Sequence, residues 1–145
     1  MGYFGALDIS ASGLTAQRYR MDTISQNIAN VSTTHAANGG PYRRKVTVFE
    51  ERAGWTAFDG FQRTASGSLG RGVRVARVFE DASPYRKAYE PGHPDADADG
   101  YVSYPNVEVV TEMINMISAT RSYEANVTSI NTTKGLATKA LEIGR

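Results

Sequence analysis

The 145 residues include no cysteine, which excludes disulfide frameworks, thiolate metal sites and cysteine nucleophiles and leaves the redox compartment open. Histidine is scarce as well: His35 and His93 are few for a metal centre or a catalytic triad. Neither sign of charge dominates. Sixteen Lys and Arg stand against fifteen Asp and Glu, a net +1 that excludes a strongly basic nucleic-acid wrapper and an acidic tail. Long apolar runs are missing too. The cluster Val107–Ile117 is broken by Glu108, Thr111, Glu112 and Asn115, so no membrane insertion is expected. The opening MGYFGALDIS lacks both a positive charge and an apolar core, so no Sec-type signal is expected. Ala6 stands where N-myristoylation requires Ser or Thr. Export from the cytoplasm, if it occurs, uses another machine.

What is present is strongest at the two ends. From Leu7 to Val31 there is no proline, and Leu7, Leu14, Met21 and Ile28 recur at every seventh position, joined by Ile24 and Val31. This spacing predicts an amphipathic helix with a narrow apolar seam, capped by Asp8 or Ser10. At the other end Val109, Met113, Met116, Thr120, Tyr123, Val127, Ile130, Lys134, Ala137 and Leu141 alternate in steps of four and three. Eight of these ten are apolar or aromatic, a heptad seam held for more than four repeats. Pro105 and Asn106 supply the start signal, Glu108 and Glu112 suit the positive end of the helix dipole, and Gly144 marks the stop. A helix from Val107 to Ile143 is roughly 55 Å long at 1.5 Å per residue, longer than a chain of this size is wide. If the two helices pack as a hairpin, roughly 24 residues face roughly 36, leaving Met116 and Tyr123 uncovered. An uncovered seam points to oligomerisation through both chain ends.

The middle has a different texture. Val46, Val48 and Phe49 mark one strand; Val73, Val75, Ala76 and Val78 mark a second, whose alternation slips by one residue as at a bulge. Tyr101–Tyr104 marks a third. The stretch Gly54–Gly72 holds five glycines with Trp55, Phe58 and Phe61 and reads as a long loop or hairpin that orders on contact. The expectation is a mainly helical α+β chain: an N-terminal helix region 1–34, a β and loop region 35–104, and a C-terminal helix region 105–145. Charge is segregated in the middle. Residues 43–77 carry eight basic against three acidic side chains, and residues 78–112 eight acidic against two basic. Such opposed patches either pair head-to-tail between copies or neutralise one another within one chain.

Three motifs suggest chemistry. Asp95-Ala-Asp97-Ala-Asp99-Gly100 matches the first half of a calcium-binding loop, but Asn106 occupies the place of the bidentate Glu, and Pro91-Gly92-His93-Pro94 bars the incoming helix. An Asp/Gly turn leading toward the long helix is the better account. No Gly-x-Ser-x-Gly or phosphate-binding loop is present, so no catalysis and no cofactor are expected. Arg71, Arg74 and Arg77 with Trp55 or Phe61 could hold a nucleic acid, though the acidic neighbour would repel phosphate. The residues alone leave two classes open: an axial assembly subunit, or a coiled-coil module whose middle grips an acidic or nucleic partner.

The segments Leu7-Asp8-Ile9-Ser10-Ala11-Ser12-Gly13-Leu14, Arg20-Met21-Asp22 and Asn27-Ile28-Ala29-Asn30-Val31 resemble the N-terminal signature of bacterial flagellar rod and hook axial proteins. Gly39–Lys45, Tyr89–Asp97, Pro105-Asn106-Val107 and Arg121–Val127 are similar to proximal-rod members of that family. Ala53–Leu69 and His35-Ala36-Ala37 carry no recognised family pattern. The resemblance implies a structural subunit without catalysis or cofactor, exported unfolded at its ends through the flagellar type III apparatus and polymerising helically into the periplasmic rod. It implies as partners further copies of the chain, FlgB, FlgF, FlgG and the adaptor FliE, with no nucleic acid. The assembly seams expected on this basis are Leu14, Met21, Ile24 and Ile28 at one end. At the other end they are Val109, Met113, Met116, Tyr123, Val127, Ile130 and Leu141.

Overall fold

The computed structural model of the chain describes residues 3–36, 39–52 and 71–144. It is mainly helical α+β: helix α1 (Tyr3–Ala29), strands β1 (Lys45–Glu51), β2 (Val73–Glu80), β3 (Arg86–Tyr89) and β4 (Tyr101–Tyr104), and helix α2 (Val109–Ile143). The stretch Gly54–Gly72 lies outside the described residues apart from Arg71 and Gly72.

The helices pair antiparallel. Ser10 meets Ser129, Gly13 meets Asn126, Met21 meets Thr120 and Asn27 meets Glu112. This register corrects the expected mismatch: α1 covers Met116 and Tyr123, both half-buried, and the overhang falls instead at the exposed C-terminal end of α2. The helix starts also differ from expectation. Nothing in Tyr3–Leu7 forbids helix, so α1 begins at Tyr3, and Asp8 and Ser10 sit inside it rather than capping it. Asn106 does not start α2. Its side chain accepts from the Arg44 amide at 2.9 Å and donates to the carbonyls of Asp81 and Ser83, while Glu108 takes the N-cap position with no side-chain cap bond.

β1 and β2 form one antiparallel ribbon, and β3 and β4 another. The slip in the β2 alternation is a bulge. Val48 pairs with Arg77 and Phe49 with Val75, leaving Ala76 as the extra residue. β4 matches the third expected strand, and its partner β3, Arg-Lys-Ala-Tyr, is too short and polar to announce itself. The first ribbon lies along α1, with Lys45 beside Asn27 at one end and Val73 donating to the Ser12 hydroxyl at the other. Gly72, at φ +99°, makes that approach possible, because a Cβ there would overlap the Ser12 oxygen.

The apolar core is thin. Among the described residues, Ala16, Ile24, Tyr42, Val102 and Ala119 are its buried members. A buried polar knot supplies what the core lacks. Asn27, 1% exposed, uses every hydrogen-bonding site of its amide. Its nitrogen donates to the Lys45 carbonyl and to Glu112 Oε2, both at 2.9 Å. Its oxygen accepts from the Tyr42 hydroxyl and the Lys45 amide, also at 2.9 Å. Glu112, likewise 1% exposed, receives Arg44 Nε at 2.8 Å and Nη2 at 2.7 Å on its other oxygen. Burial, then the negative charges of Glu112 and Glu80, hold the Tyr42 phenol above its ordinary value, so it stays a donor. One amide, one carboxylate and one guanidinium thus tie α1, β1 and α2 together.

Removing Asn27 leaves buried donors and a buried carboxylate oxygen unpaired. Asn27→Ala should therefore lower unfolding free energy by about 3 kcal/mol in urea titrations. At Gly13 a Cβ would lie 3.0 Å from the Asn126 amide, so Gly13→Leu should cost about 1–3 kcal/mol by forcing the helices apart. Unchanged midpoints would mean that neither contact holds the helix pair.

Candidate assembly surface

α2 turns one side to α1 and leaves another to solvent. Glu112 and Ala119 are buried on the inner side, and Met116, Tyr123, Asn126, Ile130 and Thr133 are half-buried in steps of three and four. Of the expected seam residues, Ile24 is buried in the helix pair. Leu14, Met21, Ile28, Met116, Tyr123, Val127 and Ile130 are half-buried, whereas Val109, Met113 and Leu141 are exposed. The inner side is therefore centred one residue behind the apolar seam, on 112, 119, 126 and 133, with Thr120 and Val127 half-buried at its edge and Met113 and Lys134 exposed. The physical reason lies in contacts distant along the chain. The Arg44 ion pair draws Glu112 inward, and small or polar side chains at Ala119, Asn126 and Thr133 let α1 approach closely.

That rotation exposes a second stripe. Val110, Ile114 and Ile117 are 64%, 63% and 53% exposed, and with Met113 they sit at helical spacing on the side away from α1. Apolar counting along the first seam misses them, although the spacing 110, 113, 114, 117 is itself the signal. At the far end Leu136, Leu141 and Ile143 are also exposed, Leu141 at 76%. A groove of about 400 Å³ between α1 and the end of β2 adds Tyr19, Val78 and Phe79, bordered by Asp22, Lys45 and Glu80.

The helix pair itself is polar along much of its length. Ser10 and Ser129 hydroxyls meet at 3.3 Å, and Thr120 reaches Met21 Sδ at 3.6 Å. Thr120, Ser122, Thr128, Thr133 and Thr138 each return a hydroxyl to the carbonyl four residues back. Such side chains offer the backbone an alternative partner and weaken an isolated helix.

The acidic motif is occupied otherwise than by a metal set. Asp95 accepts from the Thr34 hydroxyl at 2.8 Å and meets His35 Nε2 at 2.9 Å, tying the segment after α1 to the turn before β4. His93 Nδ1 accepts from the Asp95 amide at 3.1 Å. Among the described residues, no group of three His, Asp or Glu side chains is arranged to hold a metal ion. Asp97 and Gly100 close the Asp/Gly turn, with Gly100 at φ +79°.

A long antiparallel helix pair built from the two ends of the sequence, two small β ribbons and an apolar stripe without a partner among the described residues fit a subunit that is completed by assembly with others. The comparisons with known sequences agree. Residues 7–36 match the family described as "Flagella basal body rod protein", and residues 98–143 match "Flagellar basal body rod FlgEFG protein C-terminal". The flagellar basal-body rod protein FlgC of Bacillus subtilis strain 168 is 48% identical, with the whole of each chain covered. The FlgC proteins of Borreliella burgdorferi and Escherichia coli O6:H1 are 46% and 43% identical over 99% and 100% of this chain, and 98% and 100% of their own. The chain belongs to the FlgC family of flagellar basal-body rod proteins, and it is a structural subunit of that rod.

The Asp95 clip carries its own pH signature. The Thr34 hydroxyl first, and then His35, hold its carboxyl below the ordinary 3.8, outweighing partial burial. A depressed carboxylate stabilises the fold fully above 3.8 and loses that contribution as pH falls through its folded value. Asp95→Asn should therefore be less stable than the parent chain at neutral pH, and the gap should close as pH drops below 3.8. Denaturation midpoints of the two chains across that range check this; a gap constant with pH would contradict it.

Proposed function

We propose that this rod subunit is a non-enzymatic building block of the proximal rod that polymerises helically through its paired terminal helices. In this reading residues 1–34 and 105–145 are the axial regions, and 35–104 forms the outward β region. The observation that carries it is the stripe of Val110, Met113, Ile114 and Ile117, which faces away from α1 and has no partner among the described residues. Burying such side chains against a neighbour is favourable by about 25 cal/mol per Å² of apolar area. The expected seam then divides by role. Leu14, Met21, Ile24, Ile28, Met116, Tyr123, Val127 and Ile130 hold the helix pair in shape. Val109, Met113 and Leu141 join the outer stripe against neighbouring subunits.

The neighbours in this reading are further copies of the chain, FlgB, FlgF and FlgG along the rod, and the adaptor FliE. The export route is the flagellar type III apparatus, without a cleaved signal peptide. Helices weakened by backbone-bonding hydroxyls and paired through small polar residues suit that route, because the ends of a free subunit unravel at low cost. Assembly at the tip then supplies the apolar cover that the free chain lacks.

Ile114→Asp combined with Ile117→Asp changes only exposed side chains, so the purified chain should keep its circular dichroism. Cells carrying it should make the protein yet lack it in purified basal bodies and fail to swim. Tyr123→Asp, which strikes the helix pair instead, should also abolish motility. Normal swimming with Ile114→Asp and Ile117→Asp would overturn the assignment of the outer stripe.

A further inference from the structure

The charge segregated in the middle of the sequence is only partly neutralised in the folded chain. Arg44 pairs with Glu112 and Asp81, and Arg74 with Glu50. Arg77, Asp97 and Asp99 are exposed and make no side-chain hydrogen bond or ion pair among the described residues. Their placement gives the leftover charge a direction. Val48 and Glu50 share one side of β1, and their cross-strand partners are Arg77 and Arg74. Residues three apart in a regular strand point to opposite sides, so it is the bulge at Ala76 that gathers both arginines on one outer face.

The acidic side is a pre-shaped turn. The Asp97 amide donates to the Tyr101 carbonyl and the Gly100 amide to the Asp97 carbonyl, both at 2.8 Å, and Tyr89 and Tyr101 stack edge-on at 5.3 Å beneath them. A turn already ordered loses little entropy on docking. It cannot reach the arginine face of its own chain. The Asp95 contacts fix it beyond the C-terminal end of α1, at Thr34 and His35, whereas β2 lies alongside the body of α1. The two ribbons make no contact with each other.

We propose that the Asp97–Asp99 turn of one copy docks on the Arg74–Arg77 face of β1–β2 in a second copy. The inference rests on the reading that copies of this chain assemble with one another. It adds a contact in the outer β region to that made by the helices. Because the two patches differ, the contact is heterologous and continues from copy to copy rather than closing a two-fold dimer. Opposed charges here set orientation and register between copies, while the apolar stripes supply adhesion.

The absence of cysteine makes the test clean. Ala76 and Ala98 are exposed neighbours of the two patches, and replacing both by cysteine leaves every charge in place. Mild oxidation of basal bodies carrying Ala76→Cys with Ala98→Cys should yield disulfide-linked dimers and higher multimers of the chain, and neither single variant should do so. Adduct yield should fall when oxidation is done at raised ionic strength, since exposed charges are screened over about 10 Å at 0.1 M salt. Incorporation without adducts, adducts to a different protein, or dimers from a single variant would each overturn the proposal. A charge exchange provides the second arm. Arg77→Asp, and separately Asp97→Lys with Asp99→Lys, should each reduce the chain's recovery in basal bodies by about threefold or more, and combining them should restore it. A combination no better than either part would also overturn the contact. Loss of the unaltered chain from complete basal bodies would instead mean that the assembly reading itself is wrong.

Discussion

The fold depends on a single buried exchange, the Glu112 carboxylate shared between Asn27 and Arg44. Glu112 and Asn27 are each 1% exposed, and neither could be buried without the other. A carboxylate in that position is tolerable only with a cation and hydrogen bonds on both oxygens, which Arg44 and Asn27 supply. The rest follows from this constraint. It sets the register of the helix pair, turns the 112/119/126 side of α2 inward, and pushes Val110, Ile114 and Ile117 outward. A stability device within the subunit thereby decides which surface is offered to neighbours.

The helix pair is strong at one end and weak at the other. Around Asn27 and Glu112, two helices and a strand are tied by a complete hydrogen-bond network. Toward Ser10 and Ser129, contact rests on small and polar side chains and on a glycine without room for a methyl group. Such a gradient suits the proposed export route, in which the chain travels with loose ends and becomes rigid on assembly. The β1–β2 ribbon spans this gradient, held by Lys45 at the knot and by the Val73 amide on the Ser12 hydroxyl toward the weak end.

The two long helices were legible in the sequence because their periodicity extends over many turns, and the bulge was legible because the β2 alternation slips at Ala76. Family membership was legible in short signatures such as Asn27-Ile28-Ala29-Asn30. The side of α2 that faces α1 was not. Apolar counting favours Met113, whereas the structure places Glu112 inward through contacts with residues far away in the chain. Glu112 looked like a helix-dipole residue and Asn27 like part of a signature, and nothing local joins them across 85 positions. Asn106 misled for the same reason. A residue that commonly starts helices instead bonds Arg44, Asp81 and Ser83, partners that only the tertiary fold supplies.

The central claim is that the terminal helices are marginal in the free chain and completed by neighbours. Amide hydrogen exchange on the free chain and on the same chain within isolated basal bodies measures this directly. The account predicts slow exchange around Asn27, Lys45 and Glu112 in both states. It predicts fast exchange near Ser10 and beyond Asn126 in the free chain, becoming slow in the basal body. Equal protection of the helix ends in both states would contradict it, because the subunit would then need no neighbour to complete its fold.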